Sequence, residues 1–459
     1  MVFVTIIYGA MQRGMASAVR ILLPQSLNAD SLPLRVAIVG AGPGGLAAAI
    51  QLSRLQDEIP ISVFDQAREL REVGAGISLN ENTWRFLQDL GAADKLEQYV
   101  EHAVEGKLLV ENRNGRTGAL LARRFHNGRY IRRRLPPDVR VERYKLQGAL
   151  LSQIPRGLIH LTKKLVGIYK DEDGVTLEFA DGTKSGPFDL VVGAYGTWSA
   201  LRQYAFPHHK LMHTGKIAYR VLIPQENVAR LLPDIPPASC FWHTRDTHIY
   251  TNPLDNGLFE IATRALESAE HGNKVSWGLT VPKEEAVPHY KVIDVPDSWL
   301  EFSLFGGSRL QSVVHHGRIA LIGDASHPLS GAFGSGTAFA FEDAYVLKSA
   351  LEFARKRGQD LGYALELFDS VRAPRYKDLT EYGVLDEMTS NVADIKAQNP
   401  GLDEDEYVAQ TTGRNWQRAE DRGFIYSYNV ANVWAQREAA EGDRLGKVVS
   451  ESAVVQVAA

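Results

Sequence analysis

Two glycine-rich segments, separated by most of the chain, each close a short apolar run. Gly40-Ala41-Gly42-Pro43-Gly44-Gly45 follows Val36–Val39, and Gly323-Asp324-Ala325-Ser326-His327-Pro328 follows Ile319–Ile322. The first has the spacing of a strand-to-helix turn that holds a dinucleotide pyrophosphate. Gly40 permits the turn, Gly42 lets the backbone approach the phosphates, and Gly45 lets the helix pack on the strand. Such a fingerprint carries weight only inside a β-α-β unit. That context is present: Arg35–Gly40 reads as a buried strand, Gly44–Leu55 as an apolar helix, and Ile61–Phe64 as a second strand ending in Asp65. The chain is therefore expected to form an α/β, Rossmann-like domain in which Asp65 accepts hydrogen bonds from adenosine ribose hydroxyls.

The second segment extends the argument. Asp324 ends a strand, where its carboxylate is suited to ribityl hydroxyls, and Gly331, Gly334 and Gly336 precede an apolar helix from about Gly336 to Phe353. Unpaired backbone N–H groups at that helix start would face a flavin pyrimidine and stabilise the negative charge of reduced flavin. Together the two segments point to FAD stretched across one domain.

Between them the pattern changes. Leu79–Leu90 and Ala92–Val100 read as helices, Val175–Phe179 as a strand entering a hairpin turn at 180–183, and Phe188–Val192 as another buried strand. From about Lys216 to Phe305, short β-like runs (Ile217–Ile223, His248–Tyr250, Leu258–Thr263, Leu300–Leu304) are broken by Pro, Asn and Gly. This region reads as a separate substrate-binding sheet inserted into the dinucleotide domain. The expected division is an N-terminal extension 1–33, FAD-binding parts 34–205 and 311–360, the inserted sheet 206–310, and a helical C-terminal region 361–459.

Composition excludes several classes. A chain of 459 residues with formal charge −4 has no general affinity for nucleic acid or acidic membranes. The single cysteine, Cys240, excludes an internal disulfide framework and a cysteine-ligated metal cluster, so a reducing, cytoplasmic setting is expected. The Arg-containing, acid-poor segment before Asp30 keeps a mitochondrial presequence as the alternative. No stretch reads as a membrane span, and no feature sets an oligomeric state.

The chain resembles the group A flavin monooxygenases, the aromatic hydroxylases that include salicylate and 4-hydroxybenzoate hydroxylases. The resemblance is carried by Val36–Gly45, Arg71-Glu72-Val73-Gly74-Ala75-Gly76-Ile77, Arg143 with Gln147 and Leu150, Tyr219-Arg220, Gly317–Ala344 and, less specifically, Gly423–Trp434. It implies a glutathione reductase-type FAD domain without a separate pyridine-nucleotide domain, and FAD contacts at Asp65, Arg71, Ala75, Gly76, Arg143, Asp324, Gly334 and Gly336. It further implies that Arg220 sits near the flavin and controls its position. An arginine within Ala218-Tyr219-Arg220-Val221-Leu222 is costly to bury without an anion, which agrees. The implied activity is NAD(P)H- and O2-dependent hydroxylation of a small phenolic substrate through a flavin C4a-hydroperoxide, with decarboxylation where the attacked carbon bears a carboxylate. A hydroxylase of a polyketide phenol and a flavin-binding protein without coupled turnover are the alternatives.

Two positions depart from the family pattern. Val192-Gly193-Ala194 runs into Tyr195-Gly196 where relatives carry Asp-Gly, and Gly331 stands where a proline is usual. The cluster Arg123, Arg124, Arg129, Arg132–Arg134 and Arg140 reads as a solvated face or as a local field for anions. His243, Tyr250 and His327 are candidates to assist substrate deprotonation, each equally readable as structural.

Overall fold

The computed structural model describes residues 34–55, 60–70, 76–99, 105–125, 139–245, 248–266, 276–286, 296–329, 334–381, 395, 397–417 and 423–457. Its organising element is a six-stranded sheet in the order 314–315, 319–321, 190–193, 36–39, 61–64, 159–160. All pairings are parallel except that between Val314–His315 and Ile319–Leu321. Strands buried on both faces need continuous apolar runs, and Val36–Val39 and Leu190–Gly193 are buried throughout. Helices Pro43–Ser53 and Gly336–Lys356 pack on this sheet and on each other. The Rossmann-like, glutathione reductase-type expectation is met, including an antiparallel meander of Leu165–Lys170, Val175–Phe179 and Lys184–Phe188.

Three local expectations are corrected. Phe188–Val192 is not one strand. Phe188 ends the meander and Leu190 opens the parallel strand, with Asp189 at the switch bonded to Arg35 at 2.8 Å. Leu79 belongs to a strand, Gly76–Leu79, and the helix begins after Asn80, whose side chain caps Thr83 N at 2.9 Å. Ala92–Tyr99 forms two 3-10 turns, Ala93–Lys95 and Glu97–Tyr99. The buried residues Ala92, Ala93 and Leu96 fill one turn only, too few to hold an amphipathic helix. Val100 lies outside the described residues.

The inserted sheet is real but larger than 206–310. Its eight strands run in the order 277–282, 298–307, 211–224, 258–266, 248–253, 239–243, 108–114, 120–125. The last two form a hairpin from within the 34–205 segment, whose strand Leu108–Asn114 pairs in parallel with Ser239–His243. Weak alternation in Leu108–Asn114, with Glu111 and Asn112 buried among polar partners, concealed it.

One face of this sheet is a conventional core of Ile217, Tyr219, Ile223, Ile249, Phe259, Ile261, Val281 and Trp299. Since side chains alternate along a strand, the other face carries Ala218, Arg220, Glu260, Ala262, Arg264, His248, Tyr250, Phe241 and His243. That face meets the dinucleotide domain through Arg140 and Gly76, both bonded to Glu260. The C-terminal region is helical as expected, with Leu361–Glu381, Glu404–Gln417 and Val430–Val457 as its main helices.

Candidate active site

Gly40 adopts φ 113°, and a β-carbon there would lie 2.5 Å from Ala194 O. A β-carbon on Gly45 would lie 1.8 Å from Gly40 O, so the helix can start this close to the strand only with glycine. Gly42 differs from both: a β-carbon there would meet nothing within 4 Å. The turn is thus closed on its protein side and open at Gly42, as a group approaching the backbone requires. Asp65 holds the turn, accepting from Ala41 N at 2.7 Å and Ala67 N at 2.8 Å. Each carboxylate oxygen retains acceptor capacity.

The two halves of the cofactor domain meet at small residues. A β-carbon on Gly44 would lie 2.9 Å from Ala340 Cβ, and one on Gly323 would lie 3.1 Å from it. The starts of helices Pro43–Ser53 and Gly336–Lys356 are therefore brought together, and neither is capped by its own N-cap side chain. Two helix starts without side-chain caps among the described residues, each with its positive end, make a cradle for anionic ligand atoms. Asp324 is beside the second helix start, its Oδ1 3.8 Å from where a β-carbon on Gly336 would be. Its side chain is exposed to solvent, yet the protein packed around it withdraws enough water to raise its pKa, against the charges of His327, Arg143 and Arg202. Gly334, at φ 62°, turns the chain into this helix.

Arg202 was not singled out in the sequence. Its guanidinium is 2% exposed and donates to Asp324 O at 3.0 Å, Ala325 O at 3.1 Å and Thr197 O. It clamps the loop after Leu190–Gly193 to the Gly323-Asp324 loop. The local signal was Ser199, which caps the short helix Ala200–Ala205 by accepting from Arg202 N at 3.2 Å.

A second layer lies behind the Gly323 loop. Asp343 Oδ2 accepts from Gly323 N at 2.8 Å and His327 Nε2 at 3.1 Å, while Oδ1 accepts from Arg372 Nε at 2.7 Å and from the Tyr376 hydroxyl. Arg372 also reaches Glu342 at 2.8 Å, and Glu342 accepts from Asn82 Nδ2 at 2.7 Å. Burial alone would raise the Asp343 pKa, but Arg372, His327 and Tyr376 hold it below the usual carboxylate range. His327 packs on Tyr376 with ring centroids 4.3 Å apart and planes tilted by 36°, a supporting position behind the Gly323 loop.

The inserted sheet supplies the roof. Arg140 forms a double hydrogen bond with Glu260, which is 0% exposed, and lies over the Tyr250 ring at 4.9 Å. Arg220 is more isolated. Among the described residues it makes no hydrogen bond or ion pair, and its guanidinium lies 5.5 Å from the Phe302 ring centroid. Burial lowers its pKa to about 10, with Glu260 opposing and Arg140, Arg143 and Arg264 reinforcing the drop. Burial also lowers His243 to about 4 and His248 to about 3, so both are neutral at pH 7. The charge of Arg143, first residue of helix Arg143–Leu151, opposes the rise at Asp324 and adds to the drop at Arg220.

Gly40, Gly42, Gly45 and Asp65 lie together at the fingerprint turn, Asp324 lies beside Gly336, and Arg220 lies on the inserted sheet. Gly76 commits its N–H to Glu260 at 3.0 Å, so its place is at the seam between the domains. Arg123 is paired with Glu111 at 2.6 Å, which removes it and Arg140 from any free basic patch. Arg71, Ala75, Gly331, Arg129 and Arg132–Arg134 lie outside the described residues, as does segment 1–33.

Asp324 does not end a strand as expected: the strand stops at Leu321, and Asp324 lies in the 3-10 turn Gly323–Ala325 that follows it. An open fingerprint turn, two converging helix starts and this turn acid define a flavin-dependent dinucleotide-fold protein, and the donor set fits FAD. Comparison with known proteins agrees. The chain belongs to the FAD binding domain family, whose model matches residues 33–382. It is 30% identical over 354 residues to a 3-amino-4-hydroxybenzoate 2-monooxygenase of Streptomyces platensis, covering 75% of this chain and 85% of that one. It is 28% identical over 379 residues to a salicylate hydroxylase of Pseudomonas putida, covering 75% and 83%. A solved salicylate hydroxylase substrate complex superposes with TM-score 0.69 at 22% identity, covering 88% of this chain and 98% of that chain. The chain is an FAD-dependent, NAD(P)H-using aromatic monooxygenase. Among the described residues no helix is long and apolar enough to cross a membrane, and no group of side chains is arranged to hold a metal ion.

Proposed function

We propose that the substrate is a single-ring phenol bearing a carboxylate. The observation that carries this reading is Arg220, a half-buried guanidinium with no ion-paired acid among the described residues. Glu260 offsets its charge only at longer range, while Arg140, Arg143 and Arg264 add to the positive field, so the site favours an anion beside it. Ala262 stands directly between Arg220 and Tyr250 in the sheet register. Two strand spacings separate the flanking residues by about 10 Å, with only a methyl group between. A benzoate ring fits that gap with its carboxylate on Arg220 and its face against Tyr250 or Phe302. The names of similar proteins, citing 3-amino-4-hydroxybenzoate and 3-hydroxybenzoate, support a ring of this kind.

FAD, when bound, passes electrons from NAD(P)H to O2 and delivers one oxygen atom to the ring. The chain's own residues orient and exclude. Arg220 fixes the carboxylate, Tyr250, Phe241 and Phe302 offer ring faces to the substrate, and neutral His243 is held by Asn112 through Nε2 at 2.7 Å, leaving Nδ1 as an acceptor. The test is product analysis under 18O2 with hydroxybenzoates, their amides and larger phenols. One labelled oxygen in a carboxylated substrate, or in its decarboxylated diol, is expected. Turnover of the amides or larger phenols in preference to the acids would overturn the carboxylate assignment. Arg220→Gln should raise KM for the acid by about 10- to 100-fold, the worth of one charge-assisted contact, and leave KM for a neutral phenol unchanged.

A further inference from the structure

The Tyr195 departure has a structural counterpart at the other end of the cleft. Tyr195 follows strand Leu190–Gly193 at its carboxyl end, where ligands of parallel sheets bind. It touches the fingerprint turn: a β-carbon on Gly40 would lie 2.8 Å from Tyr195 Cα. Its hydroxyl oxygen is buried and has no hydrogen-bond partner among the described residues. Leaving such a group unsatisfied costs about 1–3 kcal/mol, so a native place for it calls for a partner. The nearby charge is Asp65, which is itself bonded to the same turn through Ala41 N at 2.7 Å.

We propose that the Tyr195 hydroxyl donates to the ribose–pyrophosphate half of FAD, sharing that half with Asp65. The two residues are chemically complementary. Asp65 can only accept, whereas the phenol donates, and a ribose hydroxyl does both. Burial, with the charge of Asp65 adding to it, pushes the Tyr195 pKa up to about 12, which keeps the proton on the phenol across the working pH range. A carboxylate in the same place would sit beside Asp65 as a second negative charge. The tyrosine is then a replacement contact of opposite hydrogen-bonding sense rather than a lost one. This inference concerns cofactor retention and is independent of the substrate assignment.

The test is Tyr195→Phe in the full chain, which removes one oxygen and keeps the ring. FAD affinity is measured by titrating the deflavinated protein and following flavin fluorescence, and the melting temperature of the deflavinated protein is measured in parallel. The expected result is an FAD dissociation constant raised about tenfold, with the deflavinated protein as stable as the parent or more so, because an unsatisfied buried hydroxyl has gone. An unchanged dissociation constant would overturn the proposal. So would a weaker constant accompanied by a destabilised deflavinated protein, since that result marks a purely structural hydroxyl. Combination with Asp65→Asn distinguishes a shared ligand group from two separate ones: less-than-additive losses support sharing, and strict additivity overturns it.

Discussion

Arg372→Met tests whether the charge cluster behind the Gly323 loop holds that loop in place. Arg372, Glu342 and Asp343 are all 0% exposed, and the arginine bonds both acids, at 2.8 and 2.7 Å. Methionine fills similar volume without charge. Removing one partner of a buried pair costs about 3–5 kcal/mol, because the remaining charge is left uncompensated. The lower end is expected, since Asp343 keeps Gly323 N, His327 and Tyr376, and Glu342 keeps Asn82. The sign of the pH dependence follows. In the parent, the depressed Asp343 pKa contributes stability that is present above the unfolded carboxylate value of about 3.9 and lost as pH falls through the lower folded value. In the variant, burial dominates and raises that pKa, so stability should instead be regained as pH falls from 8 towards 5. Urea unfolding at pH 8 and pH 5.5 reads both effects. Adding Asp343→Asn to Arg372→Met should restore part of the loss at pH 8. A loss below about 1 kcal/mol, the size of a surface pair, would refute the reasoning, as would a second substitution that costs more instead of rescuing.

The fingerprint glycines should separate by mechanism. Gly45→Ala must displace Gly40 O and should destabilise the folded protein, whereas Gly42→Ala enters open space and should leave the deflavinated protein's melting temperature unchanged while abolishing FAD retention. Equal melting temperatures for the two variants would contradict this. Asp324→Ala should weaken FAD retention, read as the flavin absorbance that survives gel filtration, and unchanged retention would count against a ribityl contact. Tyr195→Asp should retain FAD less well than the parent, because two carboxylates would then face each other across the turn; tighter binding would show the tyrosine to be a lesion.

The cofactor half of the fold was legible because its signals are local. A turn of glycines between an apolar strand and an apolar helix leaves few alternatives, Asp65 directly follows strand Ile61–Phe64, and Asp324 lies in the short turn after Ile319–Leu321. The roof was legible only as a β-rich region. Arg220 stood out because a charge within an apolar run has few cheap explanations. Arg202 and Asp343 were silent because their partners are backbone groups and side chains far along the chain: Asp324 O for one, Gly323 N and Arg372 for the other. The hairpin 108–125 was missed for a related reason. Its buried positions are polar, with Glu111 satisfied by Arg113 and Arg123, so its alternation does not read as apolar against polar.

That hairpin also limits how this architecture can be rebuilt. Strand Leu108–Asn114 finds its place in the sheet only against Ser239–His243, which is translated more than a hundred residues later. The roof therefore cannot be completed until both stretches of chain exist, together with the part of the cofactor domain that lies between them. A chimaera that exchanges only residues 206–310 between relatives would pair a foreign edge with a native hairpin. Grafting a new roof onto this floor requires moving two separate pieces of sequence together, and the specificity of such a roof has to be inherited as a discontinuous unit.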